Sequence, residues 1–287
     1  MWLPWDIAAV LALGLVAASL VARRRPRRWL RVAAPFAQET ALVLALYALW
    51  QLAGHLSVMR IDGALDRGQA IWDLQRALHL PSELAIQSAV LPWSWLVQLS
   101  NGYYAIMHVP ALIVFLIWLF ARHRDRYPEL RNTLALLTGA CLAIQLVPVA
   151  PPRMFPALGF VDTGQLYHQS VYGAVGSGIS DQLSAMPSVH VGWAVLIGLG
   201  VIMVSTSRWR WLVLAHPVAT IAVVVITANH WWLDGVVAVA IMGAAVLAQR
   251  GVRVALARYG SAPTRSAPVV TAPEPVPAFG LAESEVG

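Results

Sequence analysis

The fold is decided by residues 211–249, which read WLVLAHPVATIAVVVITANHWWLDGVVAVAIMGAAVLAQ. Two apolar runs, residues 211–229 and 232–249, are each close to the roughly 20 residues that a helix needs to cross a hydrocarbon core of about 30 Å. Almost nothing separates the runs, so their boundary must be a tight turn, and its two tryptophans are typical of a membrane interface. This stretch therefore predicts a helical hairpin that crosses the membrane twice.

Five further apolar runs extend the pattern over most of the chain. Hydrophobic residues make up 59% of the sequence and charged residues only 12%, whereas soluble domains contain about 25% charged residues. The sequence therefore predicts an all-α, polytopic transmembrane helical bundle. The third run is long, so we expect its helix to tilt or to protrude. In chain order, the seven predicted spans are residues 4–22, 36–58, 94–120, 132–150, 187–206, 211–229 and 232–249.

The distribution of arginine assigns the two sides of the membrane. All twenty basic residues are arginine, and sixteen of them fall into four clusters that alternate with arginine-poor loops. The positive-inside rule places these clusters in the cytoplasm, so we expect the N-terminus outside and the C-terminus inside. Because topology accounts for the net charge of +6, we expect no nucleic-acid partner. The clusters lie within residues 23–31, 122–131, 208–210 and 250–265, and the outward loops are residues 59–93, 150–186 and 229–231.

Two segments are not predicted to span the membrane. Residues 60–92 mix acidic, basic and large apolar residues at helical spacing, but their apolar runs are too short to cross a bilayer. They fit helices lying on the outer interface and helices that cap the bundle equally well. Residues 259–287 are rich in Pro, Ala, Ser, Val and Glu without periodicity, which predicts a disordered cytoplasmic tail.

Two histidines lie at the outer ends of the last three spans. His190 opens the fifth span from outside, and a chain that crosses, turns and returns brings His230 back to the same face. His230 and Asp234 are four residues apart and share one helix face, so the carboxylate can hold one ring nitrogen and leave the other free to attack. Arg153 lies in the preceding outer loop. Ionisable groups in membrane helices predict a functional site.

The sequence around these histidines resembles a known superfamily. Residues 187–190 (PSVH) resemble the Pro-Ser-x-His element of the type 2 phosphatidic acid phosphatase (PAP2) superfamily, and residues 230–234 (HWWLD) resemble its His-x-x-x-Asp element. The branch that contains the fungal inositol phosphorylceramide synthase and its bacterial relatives is similar in further stretches, including residues 150–153 (APPR) and 186–193 (MPSVHVGW). The resemblance covers about residues 36–250.

The chain departs from the phosphatase branch in two elements. Only Arg153 stands near the place of its Lys-x6-Arg-Pro element, and apolar Val223 and Val224 occupy the positions of its Ser-Arg pair. An arginine that would bind phosphate is therefore missing, and its absence is compatible with the synthase-like branch. The resemblance implies a six-helix core within a catalytic domain at residues 36–258. It leaves residues 1–35 as an extra N-terminal transmembrane helix with a basic loop.

The resemblance also implies the role of each site residue. His230 would be the nucleophile that forms a phosphohistidine, and Asp234 would orient its ring. His190 would protonate the leaving oxygen and later accept a proton from the acceptor hydroxyl. Arg153 would bind the non-bridging phosphate oxygens, and Ser188, with backbone amides at a helix start, would add donors. This scheme needs no metal and no other cofactor.

Two alternatives to these roles stay open. His230 and Asp234 could be paired for stability alone, and His190, His230 and Asp234 are acceptable zinc ligands by type.

Asn101, Tyr104 and His108 form one helical stripe, which fits a polar cavity wall and hydrogen bonding between helices equally well.

The predicted function is transfer of a phosphoryl or phospho-headgroup unit, such as phosphoinositol, from a membrane lipid donor of the phospholipid or polyprenyl phosphate type. A lipid or sugar hydroxyl as acceptor would make the protein a phosphotransferase, and water would make it a lipid phosphatase. A non-enzymatic transporter or scaffold is the alternative from another class. The all-arginine, alanine-rich composition indicates a bacterial source and hence a plasma membrane protein, and the arginine clusters place its active site on the extracytoplasmic side.

Overall fold

The computed structural model describes residues 3–25, 27–58, 62–170 and 182–260, and this part of the chain is predominantly helical. Within these ranges no strand is formed, and Val149 and Ser184 make an isolated parallel bridge. The predicted all-α class is confirmed. The predicted disordered tail lies outside the described residues from residue 261 onward.

Eleven α-helices and three 3₁₀ segments make up the described part of the chain. The α-helices are α1 (Trp5–Arg24), α2 (Arg28–Val58), α3 (Ala64–Ala77), α4 (Glu83–Val90), α5 (Ser94–Ile106), α6 (His108–Arg122), α7 (Tyr127–Ile144), α8 (Thr163–Leu166), α9 (Val189–Val204), α10 (Ala215–Ile226) and α11 (Trp232–Gly260). The 3₁₀ segments are Pro152–Met154, Pro156–Leu158 and Arg208–Leu214.

All seven predicted spans overlap with helices, but not all are complete membrane-crossing helices. Four helical segments are long and apolar enough to cross a bilayer, and α5 with α6 is a fifth candidate. The apolar helix α9 has only 16 residues, and α7 begins with a polar turn that contains Glu129 and Arg131. Length and composition thus support four or five of the seven spans. The four segments are Trp5–Arg24, Arg28–Leu52, Arg208–Ile226 and Trp232–Arg258.

The third predicted span, residues 94–120, is not one tilted helix. It breaks at Met107, and α5 and α6 meet at an angle of 50°. Pro110 explains the break, because a proline ring clashes with the carbonyl four residues earlier, here that of Ile106, and proline has no N–H to donate to it. The long run is therefore accommodated by a kink.

A buried apolar core joins α6, α7, α9 and α11. Leu119, Leu137 and Leu196 are almost fully buried in it. Helix α9 approaches α6 closely at Gly200, where an added Cβ would lie 2.7 Å from the Phe115 ring. This close approach holds α9 against the core, with His190 near its first turn.

The N-terminal helix pair is anchored to the core by polar contacts. Helix α1 packs along α2, and α2 contributes Glu39, which accepts hydrogen bonds from the Tyr127 hydroxyl and from Arg131 of α7. The described residues up to Gln249 form one compact unit, and the described residues after it are the exposed end of α11. The predicted domain boundaries at residues 35/36 and 258/259 stay predictions.

Helices α3 and α4 cover the end of the bundle. Ala64, at the start of α3, packs with Phe155, Phe160 and Trp231 in a second apolar cluster. The polar residues Gln75, Glu83 and Gln87 of this segment are buried, as they would not be in helices whose polar face lies in water. These contacts favour the capping interpretation of residues 60–92.

Candidate active site

The site is built around the tight turn between α10 and α11. The backbone reverses at Ala228, which has a φ of 53° in the left-handed region. The N–H groups of Asn229 and His230 then both point at the Val224 carbonyl oxygen, at 3.0 and 3.3 Å. The predicted hairpin turn is confirmed, and it turns the His230 side chain inward, where the residue is only 4% exposed.

The hydrogen-bond partners of His230 define which of its ring nitrogens is protonated. Nδ1 lies 2.7 Å from the Ala185 carbonyl oxygen and 3.3 Å from Oδ2 of Asp234. A carbonyl oxygen can only accept, so Nδ1 carries the proton and, in the neutral ring, Nε2 carries the lone pair. The ring is thus oriented for attack through Nε2.

Sequence reasoning missed the contribution of Ala185. Its carbonyl is nearer to His230 than the predicted Asp234 carboxylate is. Two hydrogen bonds hold the segment that contains Ala185. The Ala185 N–H donates to the Val149 oxygen at 3.3 Å, and the Gln145 side-chain amide donates to the Pro187 oxygen at 3.0 Å. A backbone carbonyl leaves no signal in side-chain patterns, so only the packing reveals this partner.

Asp234 joins the two histidine motifs. Its fully buried Oδ2 accepts from the Trp231 N–H at 2.8 Å as well as facing His230, and its backbone oxygen accepts from the Ser188 N–H at 3.0 Å. Its other oxygen, Oδ1, has no hydrogen-bond partner among the described residues. The carboxylate therefore fixes the first turn of α11 and its contact with the start of α9.

His190 lies against His230, and the predicted meeting of the two imidazoles is confirmed. Its Nδ1 is 3.4 Å from the His230 Nε2, and the ring centroids are 5.5 Å apart. The nitrogen that bears the lone pair on one ring therefore faces a nitrogen of the other. The catalytic roles of both side chains stay predictions.

The kink between α5 and α6 brings Tyr104 and His108 to the same place. Their ring centroids lie 4.6 and 4.1 Å from that of His190. The His108 Nδ1 is 3.0 Å from the Tyr104 carbonyl oxygen and therefore carries a proton, while its buried Nε2 has no partner in the described ranges. These two predicted residues contact the histidine pair, consistent with a cavity wall.

Asn101, the third member of the predicted stripe, makes a different set of contacts. Its side-chain amide donates to the Thr163 oxygen at 3.0 Å and to Gln169 at 3.1 Å, and the Thr163 hydroxyl donates to its Oδ1 at 2.8 Å. Asn101 therefore links α5 to α8, which matches the hydrogen-bonding interpretation. A role in lining the cavity is left as a prediction for this residue.

Arg153 is buried beside the turn that carries His230. Its backbone N–H donates to the Ala228 oxygen at 2.9 Å. Its guanidinium donates to Asn229 Oδ1 at 3.0 Å, to Asp162 at 3.3 Å and to the Gln182 oxygen at 3.2 Å. The contact between Arg153 and Asn229 was not predicted, although Asn229 directly precedes His230 in the sequence.

A comparison with protein families agrees with this geometry. Residues 69–248 match a family model described as the PAP2 superfamily. The chain belongs to the PAP2 superfamily. No curated protein and no solved structure matches the chain. The PAP2 superfamily generally comprises phosphatases and phosphotransferases, and membership supports a lipid enzyme of that general type.

Ser188, which was predicted to donate a hydrogen bond to the phosphate in this PAP2 protein, caps α9. It is fully buried, and its Oγ accepts from the Val191 N–H at 3.3 Å, which satisfies one of the free N–H groups of the helix start. Val223 and Val224, at the positions of the family's Ser-Arg pair, are buried with Tyr104 and Val191. They therefore supply no positive charge, and phosphate binding by Ser188 stays a prediction.

The structure provides no cluster of metal-ligating side chains in support of the zinc alternative among the described residues. Across residues 3–25, 27–58, 62–170 and 182–260, no group of three or more His, Cys, Asp or Glu side chains has the arrangement of a metal site.

Proposed function

We propose that the protein is an integral membrane lipid phosphotransferase. It would move a phosphoryl or phospho-headgroup unit, such as phosphoinositol, from a lipid donor to a hydroxyl acceptor through a phosphohistidine. The observation that carries the proposal is the environment of His230. Its Nδ1–H is held by the Ala185 oxygen and Asp234, while its Nε2 faces His190. A ring held in this tautomer is prepared for nucleophilic attack.

In the first half-reaction, Nε2 of His230 attacks the phosphorus of the donor. The bond from phosphorus to the leaving oxygen breaks, and His190, in its protonated form, gives a proton to that oxygen. Positive charge then develops on the His230 ring. The Asp234 carboxylate, 3.3 Å from Nδ1, stabilises this charge in a buried environment where water does not screen it.

In the second half-reaction, the acceptor hydroxyl gives its proton to the now neutral His190. The acceptor oxygen attacks phosphorus, and the bond from phosphorus to Nε2 of His230 breaks. Both histidines return to their starting states, so one donor and one acceptor are consumed per turnover. If water is the acceptor, the same two steps describe a phosphatase.

Arg153 would bind the non-bridging oxygens of the phosphate. The Arg153 guanidinium donates three hydrogen bonds to neighbouring oxygens, and these hold the planar group beside the turn that contains His230. The second arginine of the phosphatase branch has no counterpart at Val223 or Val224. A phosphodiester carries less negative charge than a monoester, so a donor of the phospholipid type suits this site better, and this favours the transferase.

We propose that the active site faces the extracytoplasmic side of a bacterial plasma membrane, with the C-terminus in the cytoplasm. The arginine clusters support this orientation, because they fall at the ends of spans opposite to the histidine turn.

Incubation of purified protein with a phospholipid labelled at phosphorus tests the proposal. We expect a labelled phosphohistidine that maps to His230 and disappears when an acceptor alcohol is added, with label appearing in the acceptor. Release of a labelled headgroup phosphate or of free phosphate at the same rate without acceptor would identify a phosphatase instead. Turnover by His230→Ala would contradict both forms of the mechanism.

A further inference from the structure

The first turn of α11, which contains Asp234 and directly follows His230, is bonded to side chains of the capping helices α3 and α4. A helix start leaves its first N–H groups without intrahelical partners. The N–H of Trp232 donates to Glu83 Oε1 at 3.1 Å, and the N–H of Leu233 donates to Gln75 Oε1 at 3.0 Å. Helices α3 and α4 thus supply the acceptors for two consecutive N–H groups next to the proposed nucleophile.

The two side chains form one unit. The Gln75 amide donates to Glu83 Oε1 at 2.7 Å, which leaves its own oxygen directed at Leu233. Both residues are fully buried, and the Arg76 guanidinium lies 3.4 Å from the other Glu83 oxygen. A buried carboxylate is costly unless hydrogen bonds and charges compensate it, and a helix N-terminus provides both.

This unit is coupled to the catalytic geometry through a single helical turn. Asp234 accepts from the Trp231 N–H and faces His230, while the next two N–H groups are held by Glu83 and Gln75. A first turn that frayed or rotated would move the Asp234 carboxylate relative to the His230 ring. The ring itself would also shift from the Ala185 oxygen.

We propose that Gln75 and Glu83 are positioning residues for phosphoryl transfer, which hold the start of α11 so that His230 and Asp234 keep their reactive geometry. The proposal rests on the proposed function of His230. Neither residue touches the reacting atoms, so both act through the backbone of Trp232 and Leu233. Misplacement of a reacting group by about 1 Å can lower a rate by about 100-fold.

The test compares near-isosteric substitutions. Glu83→Leu and Gln75→Leu remove the acceptors, whereas Glu83→Gln keeps an oxygen that can accept from both Gln75 and Trp232. Gln69→Leu on α3 is the matched control, because the Gln69 amide donates to Asp73 at the exposed side of the helix. Each variant is assayed for its melting temperature, for KM and for the single-turnover rate per trappable phosphohistidine site.

We expect Glu83→Leu and Gln75→Leu to form phosphohistidine about 10- to 100-fold more slowly per active site, with KM changed by less than about threefold. Glu83→Gln and Gln69→Leu should stay within about threefold of the wild-type rate. If Glu83→Leu fails to fold, Gln75→Leu carries the test, since it keeps the carboxylate. A loss in Glu83→Gln as large as in Glu83→Leu would overturn positioning by this hydrogen bond.

Two outcomes separate this inference from the proposed function. If the Leu variants lose only melting temperature or the number of active sites, while the rate per site is unchanged, their role is structural and the positioning proposal is wrong. His230→Ala is run in the same assay. If that variant still turns over, the proposed function fails, whatever Glu83 and Gln75 do.

Discussion

Replacement of Asp234 by asparagine tests the electrostatic core of the proposed mechanism. The amide has the shape of the carboxylate, and its oxygen can still accept from the Trp231 N–H and face the His230 Nδ1. The Ala185 oxygen, at 2.7 Å, still holds the Nδ1 proton. The substitution therefore removes the negative charge while keeping the tautomer of the ring.

The expected loss follows from the distance between the two groups. Unit charges 3.3 Å apart attract by about 5 kcal/mol at an effective dielectric constant of about 20. This attraction arises when the His230 ring becomes positive in the transition state, and the amide dipole retains part of it. We expect the barrier to rise by about 3–4 kcal/mol, which corresponds to a rate about 10²–10³-fold lower.

The assay is the single-turnover rate of phosphohistidine formation from a labelled phospholipid at saturating donor. KM should change little, because the charge acts on the transition state rather than on donor binding. Asp73→Asn is the matched control, an exposed carboxylate on α3. A rate for Asp234→Asn within about tenfold of wild type would refute the reasoning, and would mean that the Ala185 carbonyl alone supports the positive ring.

Three further predictions concern the phosphate site and its surroundings. Arg153→Lys should lower kcat/KM by about 10- to 100-fold, because an ammonium cannot reproduce the planar fork; a value equal to wild type in donor titrations would remove Arg153 from phosphate binding. Ser188→Ala should lower the free energy of unfolding by about 1 kcal/mol through loss of the α9 cap. A raised KM in that variant would support phosphate binding by Ser188, and an unchanged KM would limit the residue to capping. Turnover should survive overnight dialysis against EDTA, and its loss with recovery on adding zinc would restore the metal alternative.

Much of the candidate site could be predicted because its members occur in short local patterns. His230 and Asp234 are four residues apart, and they meet as predicted, although His230 lies in the turn before α11 and does not share a helix face with Asp234. The two spans between His190 and His230 were predicted to form a hairpin that brings the second histidine back to the first. That proximity is present in the structure at 3.4 Å between ring nitrogens. Helix rise and bilayer thickness predict the return to the same membrane face, whereas the contact between the two rings depends on how the helices pack.

The prediction of the fold was wrong where one residue broke a helix inside a continuous apolar run. The span at residues 94–120 is continuous in hydrophobicity, yet Pro110 breaks it into two helices at 50°. Hydropathy alone does not register the missing N–H of one proline. The break also lies between Tyr104 and His108, whose rings both contact that of His190.

By itself, the sequence determined the helical membrane architecture, the hairpin and the identity of the histidine pair, because these depend on residue type and on spacing along a regular helix. Only the tertiary structure decided which groups hold the pair in place: the Ala185 carbonyl, the Gln75–Glu83 unit and the partners of Arg153. These contacts join segments far apart in the chain, and several use backbone atoms that every residue shares. Which of these contacts form therefore depends on how the helices pack.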